Sequence, residues 1–246
     1  MSDSTDKDFS VSFFSLNQSS EQNLQNEFNI KVLTDFYEIS KISDFSDFFS
    51  YDAFILKNLS EIEKRDFYFF FKKKTNTNTL TGMCAFLTSE NVPLFIYPCG
   101  PDIPDENDIL NNIETFKKIV SSFDAPFDIG ILSGGRSSDI GRSPVVDETI
   151  RRAEVLEQKL NQKGYNAVNH TILIEDAVGV SNVIIAPDIL SAKFIAKTVC
   201  GVGTGFEVCT ILFSDNPKAP PVFENITRNV DFDFFNKFVY RILKRN

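Results

Sequence analysis

The sequence predicts an α/β fold built on a mostly parallel sheet. Three observations predict it. Short apolar, β-branched runs alternate along the chain with longer stretches whose apolar residues recur at helical spacing. Glycine and proline punctuate the passages between them, and polar, chemistry-bearing residues gather where the apolar runs end. At 246 residues and 42% hydrophobic content, the chain is long enough to bury a substantial core.

Taken in order, residues 1–8 read as a polar tail, residues 9–14 as a strand, residues 20–26 as a short polar helix and residues 30–33 as a second strand. Over residues 35–49, Phe36, Ile39, Ile42, Phe45, Phe48 and Phe49 recur at helical intervals and predict an amphipathic helix. Residues 53–56 form a short strand. The aromatic run from Phe67 to Phe71 fits either a helix end or a strand, and the basic and Thr/Asn-rich residues after it form a solvated turn. Residues 80–88 and 93–97 are strands. Ile109, Leu110, Ile113, Phe116, Ile119 and Val120 share one face of a helix over 105–123.

A strand at Ile129 to Leu132 then stops at Ser133-Gly134-Gly135, where the chain must turn. After the turn come Arg136, Ser137, Ser138, Asp139, Gly141, Arg142 and Ser143. Pro144 suits the first turn of a helix over 144–163, with Ser143 as its N-cap and Gly164 at its C-terminal end. A strand leading through glycines, serines and arginines to a helix start offers free N–H groups, a favourable helix dipole and forked guanidinium donors to an anion. The motif is not a Walker A loop, since five residues separate Gly135 from Gly141 and Arg142 stands where lysine is needed. The competing reading is a glycine-rich turn whose arginines pair with Asp139 and Asp147 at the surface.

Downstream, residues 171–174 and 182–186 read as strands ending in Glu175-Asp176 and Asp188, and residues 190–199 as a helix. Residues 208–213 and 222–226 complete the strands, and residues 231–243 form the last helix. Ser133, Glu175, Asp176, Asp188 and Thr227-Arg228 then fall at strand C-termini, where ligands bind in α/β sheets.

Composition narrows the function classes. A net charge of −9 opposes a sequence-independent hold on nucleic acid. No apolar run approaches the length of a membrane span, so a soluble, cytoplasmic chain is expected. Cys84, Cys99, Cys200 and Cys209 are too far apart for a CxxC pair and read as reduced, buried thiols. His170 is the sole histidine, so a histidine-built metal site or a Ser-His-Asp relay would rest on it alone; no metal site is expected.

Four blocks carry a family resemblance: Ser133-Gly-Gly-Arg136 running to Asp139 and Gly141-Arg142, then residues 172–177, then residues 182–188, then Thr227-Arg228 before the terminal helix. Together they resemble the methanogen marker protein 4 family, also called the MtxX methyltransferase family, which is itself similar to the phosphate acetyl- and butyryltransferases. The resemblance covers residues 93–246. It implies a two-lobed, three-layer α/β sandwich of the phosphate acetyltransferase (isocitrate/isopropylmalate dehydrogenase-like) fold. Residues 9–133 with 222–246 would form one lobe and residues 134–221 the other, with a cleft between them and a homodimer as the assembly.

The resemblance further implies a transferase-like archaeal protein of methanogenesis that binds a small phosphate- or carboxylate-bearing substrate. Ser133, Gly134, Gly135, Arg136, Ser137, Arg142 and Asp188 would hold the anion, and Thr227, Arg228 and Asp231 would be catalytic. One departure stands out: where the family has glycines after Asp188, this chain reads Ile189-Leu-Ser-Ala-Lys193, which narrows that wall. A non-catalytic binding or assembly protein on the same fold is the alternative. No cofactor motif is present, and the cofactor is left unassigned.

Overall fold

The computed structural model describes residues 20–34, 48–88, 92–201, 203, 205–224 and 232–245. In chain order its elements are α1 (Ser20–Glu27), β1 (Ile30–Leu33), a 3-10 turn (Phe48–Ser50), β2 (Ala53–Leu56), α2 (Glu61–Thr75), β3 (Leu80–Leu87) and β4 (Pro93–Tyr97). Then follow α3 (Glu106–Ser121), β5 (Asp128–Leu132), a 3-10 turn (Ser137–Asp139), α4 (Pro144–Gln162), β6 (Asn166–Thr171), α5 (Ile174–Ala177), β7 (Val183–Ile185), α6 (Ile189–Gly201), β8 (Phe206–Ser214), β9 (Val222–Glu224) and α7 (Phe232–Arg245).

Among the described residues the strands form one nine-stranded sheet in the order β1-β2-β9-β8-β3-β4-β7-β5-β6. Pairing is parallel at both ends of the sheet and antiparallel only around β9-β8-β3-β4. The result is the expected mixed, mostly parallel α/β sheet. It carries helices on both faces. Leu24 of α1, Ile113 and Phe116 of α3, Leu156 and Leu160 of α4 and Phe238 and Val239 of α7 share one core with one face. On the other face, Phe67 and Phe71 of α2 pack over Phe54, Leu56 and Leu212, while Ala192 and Ala196 of α6 pack over Cys84, Phe86 and Ile96 in a separate cluster. Two clusters on one face leave a gap between the helices that cover them.

Local chemistry explains the elements that position this gap. Helix α2 starts at a capping box, in which the Ser60 N–H donates to Glu63 at 2.7 Å and the Glu63 N–H donates back to Ser60 Oγ at 3.3 Å. That cap, with Phe67 and Phe71 four residues apart on the buried face, makes the ambiguous aromatic run a helix. Strand β8 carries a bulge: Ala85 of β3 pairs with Cys209 but Phe86 pairs with Glu207. Val208 and Cys209 consequently both enter the core below the sheet, and Glu207 turns to the opposite face.

Some expectations need correction. The strand expected at 171–174 is β6, Asn166–Thr171, and the apolar residues after it lead into the short helix α5. Strand β6 is the sheet's edge, buried through Ala167 and otherwise largely polar, so the apolar run was the wrong guide. His170 lies within this strand, with its Nε2 buried and unpartnered. The strand expected at 9–14 and most of the helix expected at 35–49 lie outside the described residues.

Candidate functional site

Strands β5 and β7 are parallel neighbours, so Ser133 and Asp188 emerge from adjacent strand ends. Several donors of the loop between Ser133 and Arg142 are already taken, some within the loop and some by helix α4. Ser133, buried, donates its hydroxyl to the Gly135 carbonyl at 2.7 Å. The Gly134 N–H is taken by Thr149 Oγ1 at 2.8 Å, the Arg136 N–H by Asp139 Oδ2 at 2.8 Å and the Gly141 N–H by Asp147 Oδ1 at 2.9 Å. The Arg142 guanidinium pairs with Asp139 at 2.5 Å. Gly135 is required by packing, since a Cβ there would meet Val146 Cγ1 at 2.7 Å.

Arg136 and Ser137 are exposed on this loop. Ser143 occupies the N-cap position of α4 without a side-chain cap bond. Asp188 caps α6, accepting from the Ser191 N–H at 2.8 Å and from its hydroxyl at 3.0 Å. The cavity below these strand ends, lined by Leu132, Thr149, Arg152 and Pro187, measures about 20 Å³, room for a single water. Thr227, Arg228 and Asp231 lie outside the described residues. Glu175 and Asp176 sit exposed in the first turn of α5.

A far larger space opens in the gap between α2 and α6. This cleft holds about 410 Å³, within the range of small-molecule sites. Its floor is a row of three residues directly opposite one another across three strands: Cys84 of β3, Thr210 of β8 and Glu224 of β9. One wall is α2, with Glu61, Lys64, Arg65 and Tyr68; the other is α6, with Lys193, Ala196 and Lys197. Cys99, Gly100 and Pro101 close it from the segment after β4. That segment is fixed by the Cys99 N–H to the Gly82 carbonyl at 2.7 Å, and a Cβ on Gly100 would meet Thr81 Cα at 2.5 Å.

The floor is polar and bonded. Cys84 donates its thiol to Glu207 Oε1 at 3.0 Å, and Lys197 donates to Glu207 Oε2 at 3.1 Å. Thr210 directs its hydroxyl at Cys84 Sγ, 3.7 Å away. Burial pushes the Cys84 thiol well above its ordinary range, so this sulfur stays protonated. Tyr68 donates its phenol to Glu224 Oε1. Burial raises the Glu224 carboxyl to about 7, against the pull of Lys64 and with a further push from Glu61. Four cations and three carboxylates thus converge on one concavity of an acidic chain.

None of the loop residues Ser133 to Arg142 lines this cleft, nor does Asp188. Sequence reasoning missed its residues because they come from six separate segments without a shared motif. One signal was available: Glu207 and Glu224 are acids embedded in apolar strands, and a charged residue at such a position is informative. Among the described residues, no three His, Cys, Asp or Glu side chains cluster as a metal set, and no helix is long and apolar enough to cross a membrane.

No family profile matches the chain. It is 35% identical over 135 residues to "Putative methyltransferase mtx subunit X" of Methanosarcina barkeri, covering 54% of this chain and 50% of that protein. It is 36% identical over 135 residues to the protein of the same description from Methanosarcina mazei, covering 54% and 48%. The chain therefore spans about half the length of the curated relatives it matches. Among solved structures, a phosphotransacetylase from Streptococcus pyogenes superposes with a TM-score of 0.59 at 16% identity, covering 78% of this chain and 62% of that one. A branched-chain phosphotransacylase from Enterococcus faecalis gives 0.57 at 12% identity, covering 85% and 77%. Over about half of its length the chain is thus similar to the proteins described as mtx subunit X in Methanosarcina, and it has the fold of the phosphotransacylases.

Proposed function

We propose that this chain is a transferase-like protein of methanogenesis that binds a small phosphate- or carboxylate-bearing substrate in the cleft between α2 and α6. One observation carries the choice of site: Lys64 and Arg65 face Lys193 and Lys197 across a space of about 410 Å³, whereas the strand ends beside Ser133 and Asp188 leave about 20 Å³. Cations on opposed walls focus the field on a guest between them even though the whole chain is acidic. Thr227, Arg228 and Asp231, the residues the sequence reading makes catalytic, follow Glu224, a floor residue, by three, four and seven positions in the chain. Similarity to proteins described as methyltransferase subunits and the phosphotransacylase fold support the transferase class. At the loop from Ser133 to Arg142, Asp139 already holds the Arg136 N–H and the Arg142 guanidinium.

Thermal unfolding with phosphate, acyl phosphates and coenzyme A tests the reading. A ligand at a hundredfold its Kd adds about 2.7 kcal/mol, which for a chain of this size is about 5–10 °C in Tm. That rise should appear in the native protein and in Arg136→Ala, and should shrink in Arg228→Ala and in the Arg65→Ala/Lys193→Ala pair. Loss in Arg136→Ala alone would move the site to the loop, and no response to any anion would overturn the proposal. Response to phosphate without response to acyl donors or coenzyme A would favour the non-catalytic binding protein.

A further inference from the structure

We infer that Glu224 contacts the bound ligand as a neutral acid, so that the cleft takes up an oxyanion together with one proton. The inference rests on the cleft being an anion site, and adds the group that selects what binds there. Glu224 is 6% exposed, ends β9 and belongs to the cleft floor. Leu56 stands opposite it on β2 and Thr210 opposite it on β8.

The two floor carboxylates are held differently. Glu207 has a cation, Lys197, within hydrogen-bond distance and a thiol on its other oxygen. Glu224 has a phenol, Tyr68, on Oε1, while Lys64, the cation beside it on α2, gives its ammonium to Glu61 at 3.1 Å. A buried carboxylate answered only by a neutral donor is costly to charge. Burial accordingly keeps the Glu224 proton up to about pH 7. Oε2 is left for whatever fills the cleft.

Protonated, that oxygen becomes a donor, and an oxyanion is acceptor-only, so the two match. The charges facing Glu224 point the same way. From α2 they are Glu61, Lys64, Arg65 and the Tyr68 phenol; from β8, Glu207; from α6, Lys193 and Lys197; with the thiols of Cys84 and Cys99 beside them. With Glu224 neutral, four cations face two carboxylates; with Glu224 charged, they face three, and the added negative charge lies on the floor where the anion must sit.

Calorimetric titration with sulfate, whose charge does not change across the working range, tests this at about pH 6 and pH 8 in two buffers of different ionisation heat. The native protein should bind sulfate about tenfold more weakly at pH 8 than at pH 6 and take up nearly one proton per sulfate at pH 8. Glu224→Gln should bind with equal affinity at both pH values and no proton uptake, and Tyr68→Phe should keep the uptake. Sulfate binding by the native protein without proton uptake overturns the inference while leaving the anion site standing, as does an unchanged pH dependence in Glu224→Gln. Failure to bind sulfate at either pH overturns the anion site itself, and this inference with it.

Discussion

Replacing Glu224 by glutamine should stabilise the protein, and by more as the pH rises. Glu224 is 6% exposed, so solvent screens it little, and burial holds its proton to about pH 7 in the folded state against 4.5 ordinarily. Between those values the folded chain binds more protons than the unfolded one, and stability falls as pH rises. The penalty is absent below 4.5, builds up through the interval and is complete above about 7. At about 1.36 kcal/mol per pH unit, the interval from 4.5 to about 7 amounts to about 3 kcal/mol. Glutamine keeps the acceptor that Tyr68 uses and never ionises. Urea unfolding of native and variant protein, compared at about pH 5.5 and pH 8, should show the gap in their stabilities widening by about 2 kcal/mol. Other titrating groups cancel in that difference. A gap that stays constant between the two pH values would refute the claim that Glu224 is a buried acid titrating in this range.

Two further outcomes are expected. Phe116→Ala should cost about 3–5 kcal/mol in chemical unfolding, because Phe116 is fully buried with its ring 4.7 Å from that of Tyr97 and 5.4 Å from that of Phe213. Asp139→Ala removes the acceptor of the Arg136 N–H and the ion-pair partner of Arg142; sulfate should then raise the Tm of the variant by more than it raises that of the native protein, showing that a side-chain carboxylate fills a latent anion loop.

How far the site was legible depends on which chemistry is local. The turn after β5 could be read as an anion loop because glycine, serine and arginine sit in sequence there, yet the same stretch supplies its own anions, Asp139 and Asp147, to its own donors. Residue types within the loop do not reveal which acceptor a given N–H has found. The helix α2 could not be separated from a strand until Ser60 and Glu63 were seen to cap it and Phe67 and Phe71 to share one buried face. The cleft was hidden for a different reason. Cys84, Thr210 and Glu224 form one row only through the registers of β3, β8 and β9, and Glu207 joins them only through a one-residue bulge.

Local rules settled the elements themselves. Apolar runs such as Ala53–Leu56 and Pro93–Tyr97, and the helical periodicity of Glu106–Ser121 behind its Asp105 cap, declare their conformation within a few residues, because burial period and capping act over one or two turns. Family resemblance, carried by four short blocks, was legible for the same reason. Tertiary structure alone decided where a ligand has room. Two clusters on one face of the sheet, one under α2 and one under α6, leave between them a gap that no single segment encodes, and the buried acid on its floor acquires its proton from surroundings contributed by strands and helices far apart in the chain.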